Sequence, residues 1–150
     1  MTVVIVALYR GGVKEVLPLL DVTPEVTIER VVEWYDTDAA GHQHHSVILR
    51  WAEAAEAELL RQHGVAWLFG RTPRVRHEVN YRSRLWFGEL CKARFWVESL
   101  GRTSLTFAFE VHGSHGLAAT GSVVVVHAEP DEGKATPWPE EVVAALGGRS

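Results

Sequence analysis

The segment from about His45 to His63 constrains the fold more than any other. Ile48, Trp51, Ala52, Ala55 and Leu59 fall within one stripe at 3.6-residue spacing. Ala, Glu and Leu, all strong helix formers, dominate the segment. Ser46 or His45 falls in its first turn, and Gly64 stands where a helix-terminating glycine belongs. No second helix of this length follows. Whatever the chain builds is organised around one amphipathic helix whose apolar stripe is lined with small alanines.

Around that helix the spacing changes to period two. Val26 to Tyr35 alternates, with Val26, Ile28, Arg30, Val32 and Trp34 on one face, and predicts a strand. Arg74–Arg82, Glu89–Ser99, Thr103–His112 and Leu117–His127 predict four more, the last two joined by a turn at Gly113-Ser114-His115-Gly116. The turns between the last three strands are too short for crossover helices, so that part of the sheet is antiparallel. Pro130, Pro137 and Pro139 then break the chain before a short helix over Glu140–Leu146. One helix against a curved antiparallel sheet is an α+β layout. With alanines on the buried stripe the sheet wraps closely around the helix, which is the hot-dog arrangement. Residues 1–25 read as an N-terminal extension, an extra strand or arm. Residues 26–129 form the domain, and residues 130–150 a tail.

Composition narrows the classes. The 150 residues carry 15 Lys+Arg against 19 Asp+Glu, a net charge of −4 that argues against a protein held on nucleic acid by general electrostatics. The single cysteine, Cys91, excludes an intramolecular disulfide framework and reads as a small buried hydrophobe. No apolar run approaches the roughly 20 residues that cross a bilayer. The apolar opening stretch has its basic residues, Arg10 and Lys14, after it rather than before it, the reverse of a signal peptide. A cytoplasmic protein without membrane or nucleic-acid partners is the expectation.

Several motifs then fall in a familiar order. Trp34-Tyr35-Asp36-Thr37-Asp38-Ala39-Ala40-Gly41-His42, followed by Leu49-Arg50-Trp51-Ala52-Glu53-Ala54-Ala55, resembles the signature of hot-dog thioesterases of the 4-hydroxybenzoyl-CoA type. Tyr81-Arg82 at the start of the second strand, Gly88-Glu89 before the third, and Leu100-Gly101-Arg102-Thr103-Ser104 between the third and fourth are similar too. The resemblance spans residues 26 to 128. It implies hydrolysis of an acyl thioester on coenzyme A or an acyl carrier protein, with no cofactor or metal, in a homodimer or homotetramer whose site lies at the subunit boundary. Asp38 matches the catalytic carboxylate, and the backbone N–H of His45 the group that polarises the thioester carbonyl. The positive end of a helix favours a carboxylate beside it, and free N–H groups there stabilise a developing oxyanion. Gly41 lets the backbone pass close to substrate. Arg102, with Arg82 and Arg84, matches basic residues that hold the phosphates of coenzyme A, and Thr103 adjoins Arg102. Another branch of the family uses a helix Glu, which makes Glu56 the reserve carboxylate.

The chain departs from that pattern at His42-Gln43-His44-His45, where relatives carry aliphatic or aromatic residues, and at Val47-Ile48. The identity of the acyl group is therefore not carried over. His42 is a candidate proton shuttle to the leaving thiolate. The His-x-His-His cluster contains ligand types for zinc but lacks the four partners of a structural site. Trp51, Trp67, Phe69 and Trp86 are candidates for an acyl pocket, or for the core and an interface. Two other functions compete. One is a hot-dog dehydratase or hydratase built on His42 and Glu56, fourteen residues apart. The other is a non-catalytic acyl-thioester binder.

Overall fold

The antiparallel sheet that the alternation predicts forms in the computed structural model, which describes residues 4–10, 13–19 and 22–147. Val4–Arg10 (β1) and Val13–Leu19 (β2) pair antiparallel as a separate hairpin. The main sheet has five strands in the order β3-β5-β6-β7-β4, all neighbours antiparallel. They are Glu25–Val31 (β3), Arg74–Tyr81 (β4), Leu90–Leu100 (β5), Ser104–Gly113 (β6) and Gly116–Val126 (β7). Consecutive strands β5, β6 and β7 lie side by side, while β3 and β4 take the two edges.

The long helix, α1 (Ser46–Gln62), lies between β3 and β4 in the chain and packs on β3 and β5. It buries Val47, Ile48, Trp51, Ala52, Ala55, Leu59 and Leu60. Ala52 and Ala55 are almost without exposure, and their small side chains admit the sheet close to the helix axis. Facing them are Phe95 from β5 and Phe107 and Phe109 from β6. Phe95 and Phe109 are direct cross-strand partners, and the ring of Phe95 lies 4.8 Å from that of Phe107. Three such rings fully withdrawn from water contribute on the order of 2 kcal/mol each or more to burial. Gly64, with φ of +71°, ends the helix in the left-handed conformation that glycine takes without strain.

The tail closes the far end. His127 stacks on Trp138 with rings 5.0 Å apart, and the Trp138 indole N–H donates to the Ser104 carbonyl at 3.2 Å. α2 (Glu140–Leu146) then buries Val142 and Leu146.

The structure corrects two expectations. β3 stops at Val31, and Trp34–Asp36 forms a 3-10 turn in place of further strand, leaving Trp34 81% exposed. The cause is Asp36, which is drawn inward. It accepts hydrogen bonds from the Glu33 N–H (3.0 Å) and from Arg50 (2.7 Å), so its two neighbours turn out to solvent. Tyr81-Arg82 closes the second strand rather than opening it, since Tyr81 is the last residue of β4.

Candidate active site

The loop between the 3-10 turn and α1 is stitched to itself and to the segment after β4. Thr37 and Gln43 form an antiparallel bridge, and so do His42 and Trp86. The Asp38 N–H donates to the His42 carbonyl (3.2 Å), and the Gly41 N–H to the Asp38 carbonyl (2.9 Å). Gly41 has φ of +81°, a conformation that would strain any residue with a Cβ, and this tight return is what the Asp-Ala-Ala-Gly stretch provides. Asp38 sits at the tip of the return. Among the described residues its exposed carboxylate accepts only the Ala40 N–H, at 2.8 Å. Gln43 anchors the loop to the protein body, its N–H donating to the Leu85 carbonyl (2.9 Å) and its side-chain oxygen accepting the Leu85 N–H (2.7 Å).

This arrangement opens a cleft of about 380 Å³, lined by Asp38, His42, Gln43 and His45 on one side and Tyr81, Arg82, Ser83 and Arg84 on the other. His45 is the residue at which α1 begins. The N–H groups on either side of it are engaged. That of His44 donates to the Asp36 carbonyl (2.7 Å) and that of Ser46 to Nδ1 of His44 (3.2 Å). The His45 N–H has no acceptor among the described residues, and it stands at the positive end of a seventeen-residue helix. Across the cleft, the Tyr81 hydroxyl donates to the His45 carbonyl at 2.7 Å, tying the end of β4 to the start of α1. Burial of the phenol raises its pKa. Nδ1 of His42 donates to the Gln43 carbonyl (3.1 Å), which leaves Nε2 as the acceptor in the neutral ring.

Five of the residues singled out from sequence thus meet in one cleft: Asp38, His42, His45, Arg82 and Arg84. Gly41 shapes the loop without lining the cleft. Glu56 lies elsewhere, in a separate cavity of about 230 Å³ with Glu53, Phe69, Thr72 and Arg74. It is 6% exposed and paired with the Arg74 guanidinium. Burial pushes its pKa up, and Arg74 pulls it back. His42 and Glu56 therefore do not come together as an acid–base pair. Arg102 and Thr103 also lie away from the cleft. Their carbonyls accept N–H groups of Trp138 and His127, at the opposite end of β7 from the Arg82 contact with Ala118. The aromatic candidates disperse: Trp51 is core, Phe69 borders the Glu56 cavity, and Trp86 meets His42 edge-on at 5.9 Å. Among the described residues, no three His, Cys, Asp or Glu side chains converge as a metal-holding group, and no helix is long and apolar enough to cross a membrane. Cys91 is buried, and burial pushes its thiol up to about 11, which keeps it protonated and unreactive. Three lining residues escaped sequence reasoning, Gln43, Tyr81 and Ser83. The signal for Gln43 was a polar residue where the pattern expects an apolar one.

Residues 32–146 match the thioesterase-like superfamily. The chain belongs to that family. Among solved structures it resembles a predicted thioesterase from Bacillus stearothermophilus, at 27% identity and a TM-score of 0.75, over 81% of this chain and 93% of the other. It equally resembles a thioesterase from Thermus thermophilus complexed with coenzyme A and Zn, at 26% identity and a TM-score of 0.75, over 83% and 92%. A DHNA-CoA thioesterase from Staphylococcus aureus shares the fold at 24% identity and a TM-score of 0.70, over 75% and 80%. The hot-dog architecture and the membership of a family of thioester hydrolases therefore stand together.

Proposed function

We propose that this protein hydrolyses an acyl thioester carried on coenzyme A or an acyl carrier protein, with Asp38 as the catalytic carboxylate. The observation that carries the reading is the pairing of Asp38, without a cation partner among the described residues, with an unengaged His45 N–H in the same cleft at the start of α1. A thioester is already activated toward acyl transfer, so one carboxylate and one oxyanion donor form a sufficient apparatus. Asp38 takes a proton from the water that attacks the carbonyl carbon, or attacks it directly to give a mixed anhydride that water then hydrolyses to free acid and the Asp38 carboxylate. The His45 N–H receives the negative charge that develops on the oxygen. The thiolate leaves and takes up the proton released by the attacking water, for which His42 Nε2, the acceptor of the neutral ring, is the nearby carrier. Arg82 and Arg84 border the same cleft, and their guanidinium forks suit the phosphates of coenzyme A or of a phosphopantetheine arm.

The cleft is open, with walls drawn from two loops of one chain. A second copy in a homodimer or homotetramer supplies the missing side in this reading. The test is thiol release from a panel of aromatic and aliphatic acyl-CoAs by the wild type and the Asp38→Asn variant. A fall of about a hundredfold or more is expected, the range in which removal of one catalytic group falls. Unchanged turnover in the variant would move the chemistry away from Asp38. No turnover by a folded wild type on any thioester would leave a binding protein.

A further inference from the structure

Gln43 is 5% exposed, yet it lines the cleft. Its amide orientation is fixed by its neighbour. The Leu85 N–H is a donor and lies 2.7 Å from the amide oxygen, so the oxygen faces Leu85 and Nε2 faces the other way. Nε2 has no acceptor among the described residues, and it is not among the fully enclosed polar atoms that lack one. It therefore keeps some exposure, and in a residue that lines the cleft its two N–H bonds are uncommitted among the described residues. The other neutral donors of the lining are mostly spent. The Tyr81 hydroxyl donates to the His45 carbonyl and the Ser83 hydroxyl to the Leu117 carbonyl, while His42 Nδ1 is held by the Gln43 carbonyl. Among the described residues, the His45 ring is the other neutral donor of the lining without a hydrogen-bond partner.

We infer that the Gln43 side-chain amide is a second donor to the thioester carbonyl oxygen, acting beside the His45 N–H two residues further along the same loop. The inference rests on the thioesterase reading and adds to it a residue special to this chain, since the family pattern places an apolar side chain at this position. The physical case is one of electrostatic preorganisation. An oxyanion has lone pairs for more than one hydrogen bond, and a single backbone N–H serves only one. A donor whose rotamer is locked by a buried bond to Leu85 needs no reorganisation when the charge develops. A mobile surface glutamine would lose most of that advantage to side-chain entropy.

The anchoring bond to Leu85 also makes Gln43 structural, and two substitutions separate the roles. Gln43→Glu keeps an oxygen acceptor for the Leu85 N–H and removes the donor. Gln43→Met removes both. Steady-state thiol release and thermal unfolding of the two variants and the wild type, at neutral pH, give kcat, KM and Tm. The expected result is a kcat about a hundredfold lower in both variants on every acyl-CoA turned over, with KM within about threefold, as for loss of one oxyanion donor. The Tm should fall in both variants, since Gln43→Met leaves the Leu85 N–H without its acceptor and Gln43→Glu buries an unpaired carboxylate, so the separation rests on kcat against KM. A Gln43→Glu variant whose kcat stays within about threefold of the wild type would overturn the inference and leave Gln43 a purely structural anchor. So would a loss confined to KM, which marks ground-state binding. A wild type without turnover on any thioester would instead overturn the thioesterase reading, and this role with it.

Discussion

Two carboxylates flank α1 in contrasting surroundings. Asp38, just before the helix, is exposed, bonded to one backbone N–H and without a cation partner among the described residues. Glu56, on the buried face, is enclosed, paired with Arg74 and carries a raised pKa. Asp36 repeats the second pattern: it is 3% exposed and bonded to Arg50 and the Glu33 N–H. The difference teaches where chemistry and architecture divide. A buried carboxylate held by a guanidinium serves to hold parts together. One that keeps free lone pairs beside an unengaged helix N–H is available to a substrate. The two-residue spacing of Asp36 and Asp38 thus places one acid in the scaffold and the other in the cleft.

The largest effects would come from exchanging the two. Asp38→Asn is expected to cost about a hundredfold in kcat with Tm nearly unchanged, whereas Glu56→Gln should keep turnover within a few-fold of the wild type. Parallel kinetics and thermal unfolding on the same preparations check both. A hundredfold loss in Glu56→Gln would break the division. Next comes Arg74→Met, which leaves the buried Glu56 without its cation partner. Removing one partner of a buried pair costs roughly 3–5 kcal/mol, and the partial exposure of Arg74 reduces this to about 2 kcal/mol. Urea unfolding would show it, and the loss should shrink in acid, where Glu56 takes up a proton.

Smaller is the pH dependence of stability. Glu56 is raised above its ordinary 4.5, chiefly by burial, so the folded protein holds that proton more tightly and stability falls as pH rises through the window above 4.5. His77, on β4, is lowered below its ordinary 6.5, again chiefly by burial with Arg74 adding to it, so stability rises with pH through the window below 6.5. The two slopes oppose one another. Glu56→Gln removes the falling one, and the variant's stability should therefore climb more steeply than the wild type's between about pH 4.5 and 6.5. Urea midpoints at a series of pH values measure this, and an unchanged profile would mean that Glu56 does not titrate in this range.

Much of the fold was legible because local pattern and tertiary role agree. The alanine stripe of α1 faces the sheet, and the turn at Ser114-His115 joins β6 to β7 as its composition predicts. The end of β3 was not legible, since alternation continues through Trp34. What stops the strand is a bond from Asp36 to Arg50, fourteen residues away. The candidate site was legible where it is contiguous, from Asp38 to His45. Its other wall was reached only in part. Arg82 and Arg84 arrive through the pairing of β4 with β7, whereas Arg102 and Thr103 lie near the far end of β7. The nine residue steps from Ala118 to His127 put about 30 Å between them at the usual rise of a strand. The Arg74 partner of Glu56 and the Leu85 partner of Gln43 come from outside their own elements, so no spacing within the helix or loop announces them.

The smallest expected effect tests the hinge between the two regions, the Tyr81 hydroxyl. It joins the end of β4 to the His45 carbonyl, so it touches the cleft but claims no part in the chemistry. Tyr81→Phe removes one neutral hydrogen bond from a half-exposed site, which is worth about 0.5–1 kcal/mol and so lowers Tm by only a few degrees. If the bond holds the start of α1 in register, kcat should fall a few-fold with KM unchanged, because the His45 N–H is then less well placed for the oxyanion. Because burial raises the phenol's pKa above its ordinary 10.0, the wild type keeps this donor throughout the neutral range. The ratio of wild-type to variant kcat should therefore be flat from pH 6 to 9. A ratio that varies with pH in that range, or a loss as large as that in Asp38→Asn, would place the hydroxyl among the reacting groups and move the line between scaffold and chemistry to the edge of β4.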